Sequence, residues 1–483
     1  MSRPGHEPSL PDGWELVVGL EVHVELHTAT KLFCGCANRF GDEPNTNVCP
    51  TCLGLPGSLP VVNATAVEHA MRLGLALGCS VQPSVFARKN YFYPDLPKDY
   101  QVSQYDRPTN VDGVLVLPDG TEVGIERAHI EEDTGKSTHV GGAGRIHDAD
   151  YSLVDYNRAG VPLVEIVSRP DIRTVEHARA YVGELRAVLL AVDVSDARME
   201  EGSMRVDANV SVRPVGSDEL RTRCEIKNIN SIRSLGRAIE YEARRHIDLY
   251  DDGDAPRQET RHWDEAAGRS TPGRSKEDAD DYRYFQEPDL VPLRPGAETI
   301  SAIGGSLPPL PAQRRVALAR AAGVTPAEVA LLVERGQDGL ALAAIEAGAD
   351  AAKVVTRVEN DLAFDDWSRV DSDGLAALVG METRGELTAT QAKQVLADMV
   401  ETGDSPATIA ERRGFEAMET SELDSLVDQL IADHADEWER FCNGDDKDRK
   451  KMAGFFTGQI MRATRGQADG RAVNRLLAEK SGV

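Results

Sequence analysis

Hydrophobic and polar residues alternate over much of residues 14–167, and this alternation predicts β-strands. In WELVVGLEVHVEL, residues 14–26, one face of the predicted strand is apolar and the other carries Glu21, His23 and Glu25. GVLVLPDGTEVGIERAHIEED predicts a hairpin that turns at the Asp-Gly pair at 119–120. VPLVEIVS predicts an apolar strand that is interrupted by Glu165.

Two longer segments predict helices. Apolar residues recur at helical spacing in TVEHARAYVGELRAVLLAV, and SIRSLGRAIEYEARRHIDLY predicts a second helix that Gly253 ends. Between them, SMRVDANVSVRP and RTRCEIKNI read as strands, and the first places Asp207 on its polar face. Because strands come in long blocks with few helices between them, we expect an α+β fold built on an antiparallel sheet.

The pattern changes near residues 294–311, where RPGAETISAIGGSLPPLP is rich in glycine and proline. Beyond this segment the chain predicts helices. A capping box with proline at the first helical position begins at Thr325, and further helices are expected at about 388–401, 405–412 and 421–440. We therefore expect an antiparallel-sheet cradle over 1–293, an all-α domain over 294–400 and a helical tail over 401–483.

The composition is strongly acidic, with a formal net charge of −26 and a pI of about 4.9. Such acidity predicts a halophilic protein, because screening lengths fall to about 3 Å in 1 M salt, and it does not exclude an RNA partner there. Residues 447–475 differ, with eight Lys or Arg against two Asp, which predicts either a solvated helix face or a contact with phosphates. No signal peptide or membrane-spanning run occurs, so we expect a soluble, cytoplasmic protein.

Four of the seven cysteines lie in LFCGCANRFGDEPNTNVCPTCLG, residues 32–54. The spacing C-x-C, twelve residues, C-x-x-C predicts a tetrahedral zinc site formed by Cys34, Cys36, Cys49 and Cys52. Four thiolates leave no open position for water, so the zinc is predicted to be structural; four free thiols clustered by chance are the alternative. The other cysteines are scattered, which favours reduced thiols over a disulfide framework.

Carboxylates and one imidazole on the predicted strands form a second candidate site, made of Glu21, His23, Glu131, Glu132, Glu165 and Asp207. If these strands share one sheet, the side chains converge, and an oxygen-rich site of this kind suits Mg²⁺. An even scatter of carboxylates over an acidic surface is the alternative. Glu165 argues against it, because a carboxylate in an apolar strand carries a desolvation cost unless it is paired or metal-bound.

Two further motifs give weaker signals. EEDTGKSTH contains Gly-Lys-Ser, but residue 130 is isoleucine, so the first glycine of a P-loop is missing; Lys136 could still reach a phosphate as a point charge. ARKNYFYPDLPKDYQVSQYD places aromatic residues around Lys89 and Lys98, which predicts either a packed loop or the wall of a passage. No nucleophile motif for amide hydrolysis occurs.

Together, eight segments closely resemble the GatB family of tRNA-dependent amidotransferase subunits. They run in order from about residue 14 to 293: GLEVHVEL, NVCPTCLGLPGSLPVVN, RKNYFYPDLPKDYQVSQYD, EEDTGKSTH, DYNRAGVPLVEIVSRPDI, MEEGSMRVDANVSVRP, EIKNINS and DDYRYFQEPDLVPL. The resemblance continues more weakly in GQIMRATRGQADGRAVNRLLAEK, which is similar to the YqeY-like end of that family.

The resemblance implies a subunit that works with GatA and GatC on Asp-tRNA(Asn) or Glu-tRNA(Gln). GatA would release ammonia from glutamine, and this chain would use ATP and Mg²⁺ to phosphorylate the side-chain carboxylate of the tRNA-borne amino acid. Ammonia would then displace phosphate. The absence of an amidase motif fits this scheme, because the nucleophile comes from a partner.

The same resemblance implies roles for individual residues. The Mg²⁺ ligands would be Glu21, His23, Glu132 and Glu165, with Glu131 and Asp207 as second choices and Lys136 near the nucleotide. Lys89 and Lys98 would line the ammonia passage. The tail would face tRNA through Lys450, Lys451, Arg462, Arg465 and Arg471. Some family members lack the four cysteines, which implies that zinc lies outside the catalytic requirement.

Two other classes of protein stay open on the residues alone. A zinc-folded tRNA-binding module without catalysis would explain the cysteines and the basic tail, but its carboxylates would repel phosphates unless a metal lay between them. A stand-alone zinc hydrolase needs an open metal position, which the four-cysteine set lacks.

Overall fold

The computed structural model describes residues 10–141, 149–275, 282–362, 366–415, 420–444, 446–464 and 470–481. The chain divides into two compact units, Met1–Gln313 and Arg314–Val483. The domain boundaries expected at 293 and 400 stay predictions. In the described part of the chain no single helix is long and apolar enough to cross a membrane. The bent helix pair Pro311–Ala322 and Pro326–Glu334 reaches that length and apolar composition only when both helices are counted together.

The first unit is built on β-strands, as the alternating pattern predicts. Its strands are β1 (Trp14–Glu25), β2 (Ser80–Val81), β3 (Ala87–Asn90), β4 (Tyr100–Ser103), β5 (Asn110–Val116), β6 (Glu122–Glu132), β7 (Lys136–Val140), β8 (Tyr151–Asp155), β9 (Pro162–Ser168), β10 (Met204–Pro214), β11 (Cys224–Ile229), β12 (Glu259–Asp264), β13 (Arg269–Ser275) and β14 (Phe285–Gln286). Its helices are α1 (Ala64–Ala76), α2 (Val175–Ala191), α3 (Ile232–Asp251) and α4 (Ala297–Gly305).

The described strands form a twelve-stranded sheet and a separate pair, β7-β8. The order along the large sheet is β13-β12-β11-β10-β1-β9-β6-β4-β3-β14, with β2 and β5 joined at its side. The paired strands run antiparallel, as expected, except that β11 and β12 are parallel. β11 and β12 can be parallel because the segment between them is a long crossover that contains α3.

The two faces of the central strands differ as the alternation predicts. Leu20 and Val22 of β1 belong to an apolar core that is completed by Leu185 of α2 and Ile239 of α3. Helices therefore cover this face. The opposite face carries the polar residues of the same strands, which leaves it available for a site.

A buried ionic network is embedded on the helix side of the sheet. Glu242 of α3 is fully buried and accepts hydrogen bonds from Arg245 at 2.5 Å and from the hydroxyl of Ser270 at 2.8 Å. The guanidinium of Arg261 in β12 lies 3.5 Å from the same carboxylate. The network ties α3 to the parallel edge of the sheet.

The second unit is helical, as predicted. Its helices are α5 (Pro311–Ala322, which begins in the first unit), α6 (Ala330–Glu334), α7 (Asp338–Glu346), α8 (Ala351–Asp361), α9 (Ser372–Thr383), α10 (Ala389–Thr402), α11 (Pro406–Arg413), α12 (Thr420–Asp433), α13 (Ala435–Asn443), α14 (Asp446–Ala463) and α15 (Gly470–Ser481). The capping box at Thr325 is present, and it begins a short 3₁₀ turn, Pro326–Val329, that leads into α6.

The single helix expected at 421–440 is wrong, because the structure has two helices that meet at His434. The backbone of His434 leaves the helical region, with φ −129° and ψ 49°. Its ring packs edge-on against Phe455 at 5.1 Å between ring centres. A tertiary contact therefore overrides the helical pattern at this point.

We predict that Glu242→Ala lowers the free energy of unfolding by about 3–5 kcal/mol, because Arg245 and the buried hydroxyl of Ser270 lose the carboxylate that they bond, and buried Arg261 loses one of the carboxylates that it contacts. Denaturant unfolding at neutral pH measures this loss. Glu240→Ala is the matched control on the same helix; its half-exposed pair with Arg244 is worth about 0.5 kcal/mol.

The same network predicts a pH dependence. Although burial favours the neutral acid, hydrogen bonds from His246 and Arg245 lower the pKa of Glu242 to about 2. A depressed folded-state pKa stabilises the fold above the ordinary pKa near 4.5, and this contribution disappears as the pH falls towards 2. Two results would contradict this explanation. One is an equal loss of unfolding free energy in Glu242→Ala and Glu240→Ala; the other is a difference in unfolding free energy between Glu242→Ala and the unaltered protein that does not change at acid pH.

Candidate active site

The register of four neighbouring strands gathers polar side chains on one face of the sheet. Glu21 of β1 lies opposite Asp207 of β10, and His23 lies opposite Glu165 of β9. From the other side of β9, His129 of β6 also lies opposite Glu165. Directly opposed residues in a sheet point to the same face, so these side chains converge.

Two groups of possible metal ligands meet at Glu165. The first triad consists of Glu21, His23 and Glu165. Its His23 Nε2 lies 3.6 Å from an oxygen of Glu21 and 3.4 Å from an oxygen of Glu165. In the adjoining group, Nε2 of His129 lies 3.3 Å from Glu131 and 4.0 Å from Glu165. The ligand atoms within each group lie within 4.8 Å of one another, which is compact enough for a single ion.

Burial and hydrogen bonding set the charges on this face. Burial raises the pKa of Glu21, and the neighbouring carboxylate of Glu165 raises it further. Burial is the largest effect on Glu165 and opposes its ionisation, but a hydrogen bond with His23 and the attraction to His129 together outweigh it, so the pKa of Glu165 is lowered overall. His129 acts in the same way on Glu131, whose pKa is lowered despite burial. The face therefore combines ionised carboxylates with imidazoles, a donor set that accepts a divalent cation.

The second triad, Glu21, Asp207 and Glu225, shares Glu21 with the first. A lysine accompanies it: Nζ of Lys227 lies 2.6 Å from Asp207 and 3.2 Å from Glu225. The hydroxyl of Thr260 donates a hydrogen bond of 2.7 Å to the other oxygen of Glu225. On the β9 side of β1 the carboxylates therefore lie beside imidazoles, and on the β10 side they lie beside the ammonium group of Lys227.

Glu132, predicted as a ligand beside Glu21, His23 and Glu165, belongs to neither triad within the described residues. Successive residues of a strand point to opposite faces, so Glu131 and Glu132 diverge. The carboxylate of Glu132 accepts hydrogen bonds from the ammonium of Lys98 and from the backbone N–H of Val102.

The other predicted lysines lie in different surroundings. Nζ of Lys89 is 5.0 Å from the ring centre of Tyr282 and 5.9 Å from that of Tyr91, both cation–π distances. Lys136 begins β7 in the two-stranded sheet, where its side chain is exposed.

Sequence reasoning missed three residues of this face: Arg127, His129 and Glu225. A guanidinium nitrogen of Arg127 lies 3.4 Å from Glu165, and the same group lies over the ring of Tyr105. The sequence did contain a pattern from which Arg127 and His129 could have been predicted. The two-residue period of a strand places Arg127 and His129 on the face of Glu131.

The four cysteines predicted as ligands are brought together. The sulfur atoms of Cys34, Cys36, Cys49 and Cys52 lie within 4.8 Å of one another, and such a four-thiol set fits a tetrahedral metal. A hydrogen bond from Cys34 is the main cause that lowers the pKa of Cys52 to about 4.

The cysteine loop is attached mainly to the segment before β9. The backbone N–H of Asn47 donates to the side chain of Asn157 at 2.8 Å, and Leu32 donates to the carbonyl of Gly160 at the same distance. Buried Lys31 donates to the carbonyl of Tyr156 at 3.1 Å. These bonds connect the loop to the chain that leads into Glu165, and the side chain of Asn38 also connects it to the carbonyl of Leu26, directly after β1.

The basic residues predicted in the tail lie in or beside α14 and α15. Lys450, Lys451 and Arg462 belong to α14, where Lys450 and Lys451 are exposed. Arg465 lies outside the described residues, and Arg471 belongs to α15.

The fold and this face define a class: an α+β protein whose sheet presents carboxylates and imidazoles suited to a divalent cation, followed by a helical region. Two family models match the chain. The GatB/GatE catalytic domain matches residues 16–301, and the GatB domain matches residues 351–480. The chain therefore belongs to the GatB family.

Curated relatives agree over nearly the whole length. The B subunit of the aspartyl/glutamyl-tRNA(Asn/Gln) amidotransferase from Rhodococcus jostii is 48% identical, over 97% of this chain and 96% of its own. The proteins of the same name from Streptomyces coelicolor and Thermobifida fusca are each 46% identical, over 97% and 98% of this chain and 96% and 95% of their own.

We predict that the double variant Cys34→Ser/Cys49→Ser lowers the Tm by at least about 5 °C, because it removes two of the four thiols that would hold a metal and close the loop against the Glu165 segment. Metal content and thermal unfolding measure this effect, and Cys442→Ser is the control outside the cluster. Turnover at a temperature where the variant is folded should fall by less than about tenfold. Unchanged stability together with lost catalysis would contradict a structural role.

Proposed function

We propose that this chain is the subunit of a tRNA-dependent amidotransferase that activates and amidates the amino acid. With ATP, it would phosphorylate the side-chain carboxylate of Asp-tRNA(Asn) or Glu-tRNA(Gln), and ammonia would then displace the phosphate. The observation that carries the proposal is the convergence of the first triad with His129 and Glu131 on one face of the sheet. The names of the relatives support the substrate class.

The donor set of this face fits Mg²⁺, which is held by a few carboxylates while substrate phosphates complete its coordination. When bound, such an ion neutralises charge that develops during phosphoryl transfer. We propose His23, Glu131 and Glu165 as its main ligands, with Glu21 shared between the two triads. Arg127 would orient Glu165 from the side, because its guanidinium contacts that carboxylate.

We propose Glu131, and not Glu132, as the ligand from β6. Glu131 shares a face with His129, whereas Glu132 is paired with Lys98. This pairing supports a role for Glu132 beside Lys98 and Lys89 along a passage for ammonia. A largely buried lysine–glutamate pair gives a polar path that does not compete for the metal.

The remaining elements of the proposal concern binding. The cysteine cluster would hold a structural Zn²⁺ because its four thiols form a closed ligand set. The exposed bases of α14 would contact tRNA phosphates, and Lys136 would lie near the nucleotide. Glutamine-derived ammonia requires GatA, with GatC completing the assembly. Because aminoacyl-tRNA is the substrate, the complex would act in the cytoplasm.

We predict that Glu165→Gln lowers amide formation by at least about a hundredfold, about 2.7 kcal/mol in barrier height, because a neutral amide holds a divalent ion poorly. The assay reconstitutes the chain with GatA and GatC in high salt and supplies Asp-tRNA(Asn) and Glu-tRNA(Gln) separately. ATP consumption should fall in parallel, while glutaminase activity of the complex survives.

Glu122→Gln is the control for that variant, because it removes an exposed carboxylate from the far end of β6. It should retain full activity. Amide formation at the normal rate by Glu165→Gln would show that the proposed site is wrong. Binding of tRNA without any Mg²⁺-dependent ATP consumption by the unaltered complex would favour a binding module instead.

A further inference from the structure

Lys227 occupies a position where a metal ion would otherwise fit. Its ammonium nitrogen lies 2.6 Å from Asp207 and 3.2 Å from Glu225, two of the three carboxylates of the second triad. Glu225 and Lys227 are two residues apart on β11, so both point to the polar face. A divalent cation bound to this triad would have to displace the lysine.

The backbone is shaped to hold Lys227 in place. Between the pairs Val206–Ile229 and Ala208–Ile226, β10 contributes one residue, Asp207, and β11 contributes two, Lys227 and Asn228. This is a β-bulge, a feature that bends the strand and redirects a side chain. Asn228 takes the extra position with φ +65°, a conformation that asparagine tolerates better than most residues.

Two hydrogen bonds from or to β12 hold the bulge residue Asn228 and the carboxylate of Glu225 in place. The side chain of Asn228 donates to the carbonyl of Trp263 in β12 at 3.0 Å. Thr260, also in β12, donates to Glu225 at 2.7 Å. The parallel neighbour β12 therefore supports both the carboxylate of Glu225 and Asn228, the residue that follows the lysine.

The two triads consequently differ in the cation that they can accept. The first triad contains an imidazole, and Lys227 makes no ion pair with Glu165 among the described contacts. The second triad has an internal monovalent cation at hydrogen-bonding distance from two carboxylates. Since Mg²⁺ needs oxygen atoms at about 2.0–2.1 Å, the ammonium and the ion exclude each other.

We propose that Lys227 is the resident cation of the second triad in the nucleotide-free protein, so that this face binds one divalent cation and not two. The inference rests on the proposed function, because it takes the Mg²⁺ site to lie at His23 and Glu165 of the first triad, with Glu131 beside them. Lys227 is then a residue that sets metal stoichiometry, and removing it should convert the second triad into a metal site.

Mn²⁺ is a suitable probe, because its free form can be counted by electron paramagnetic resonance. Full-length protein is first saturated with Zn²⁺ to fill the cysteine cluster, and is kept in high salt so that scattered surface carboxylates bind little. We expect one tight Mn²⁺ per unaltered chain. Lys227→Met should bind two, with the Kd of the second ion at least about tenfold lower than in the unaltered protein, about 1.4 kcal/mol.

Three further variants locate the effect. Lys227→Arg retains a cation and should stay at one ion. Lys98→Met removes another lysine that is paired with a glutamate and should also stay at one. The double variant Lys227→Met/Glu225→Gln should return to one ion, because the new site loses a ligand. Thermal unfolding of each variant confirms that it is folded, and Lys227→Gln serves if Lys227→Met is not.

The outcomes separate this inference from the proposed function. Two ions in the unaltered protein, or a single ion in folded Lys227→Met and Lys227→Gln, would overturn the inference while leaving the Mg²⁺ site intact. Persistence of the second ion in the double variant would also overturn it. No ion in the unaltered protein but one in Lys227→Met would support the role of Lys227 and contradict the first triad; no ion in either would contradict both.

Discussion

The register between β1, β9 and β6 is the constraint on which the site depends. His23 and His129 flank Glu165 because each lies directly opposite it across a strand pair. A slip of one residue in β9 would place Val164 or Ile166 between the two imidazoles and turn the carboxylate towards the helix-covered core. The apolar residues of β9 therefore do more than stabilise the fold, since their burial fixes which face Glu165 occupies.

Burial of so many charges is tolerable because each carboxylate has a compensating neighbour. Imidazoles accompany Glu131 and Glu165, an ammonium group accompanies Asp207 and Glu225, and Lys98 accompanies Glu132. A carboxylate left without such a partner in this setting would be neutralised or would destabilise the fold. The same arrangement divides the face into regions with different chemistry: a region for a divalent ion, a region closed by a lysine and a polar pair beside aromatic rings.

Much of this architecture follows from the sequence. Alternation predicted β1 and β10 and the polar face of each, a hairpin pattern predicted β6, and an apolar run interrupted by Glu165 predicted β9. The spacing of four cysteines predicted their cluster. The pairing order of the strands is a long-range property, so Glu131 could not be separated from Glu132 until β6 was placed beside β9. The β-bulge at Asn228 could not be predicted from the sequence either, because it depends on how β11 pairs with β10. His434 divides a helix through a contact with Phe455 that is distant in sequence.

The most direct measurement is anomalous diffraction from crystals of the full chain soaked in Mn²⁺. We expect a strong peak at about 2.0–2.3 Å from the carboxylate of Glu165 and from Nε2 of His23, with Glu131 completing the site. In the electron density of the same crystals, the ammonium group of Lys227 should remain hydrogen-bonded to Asp207. A principal peak at Glu132, or no peak on this face of the sheet, would contradict the account.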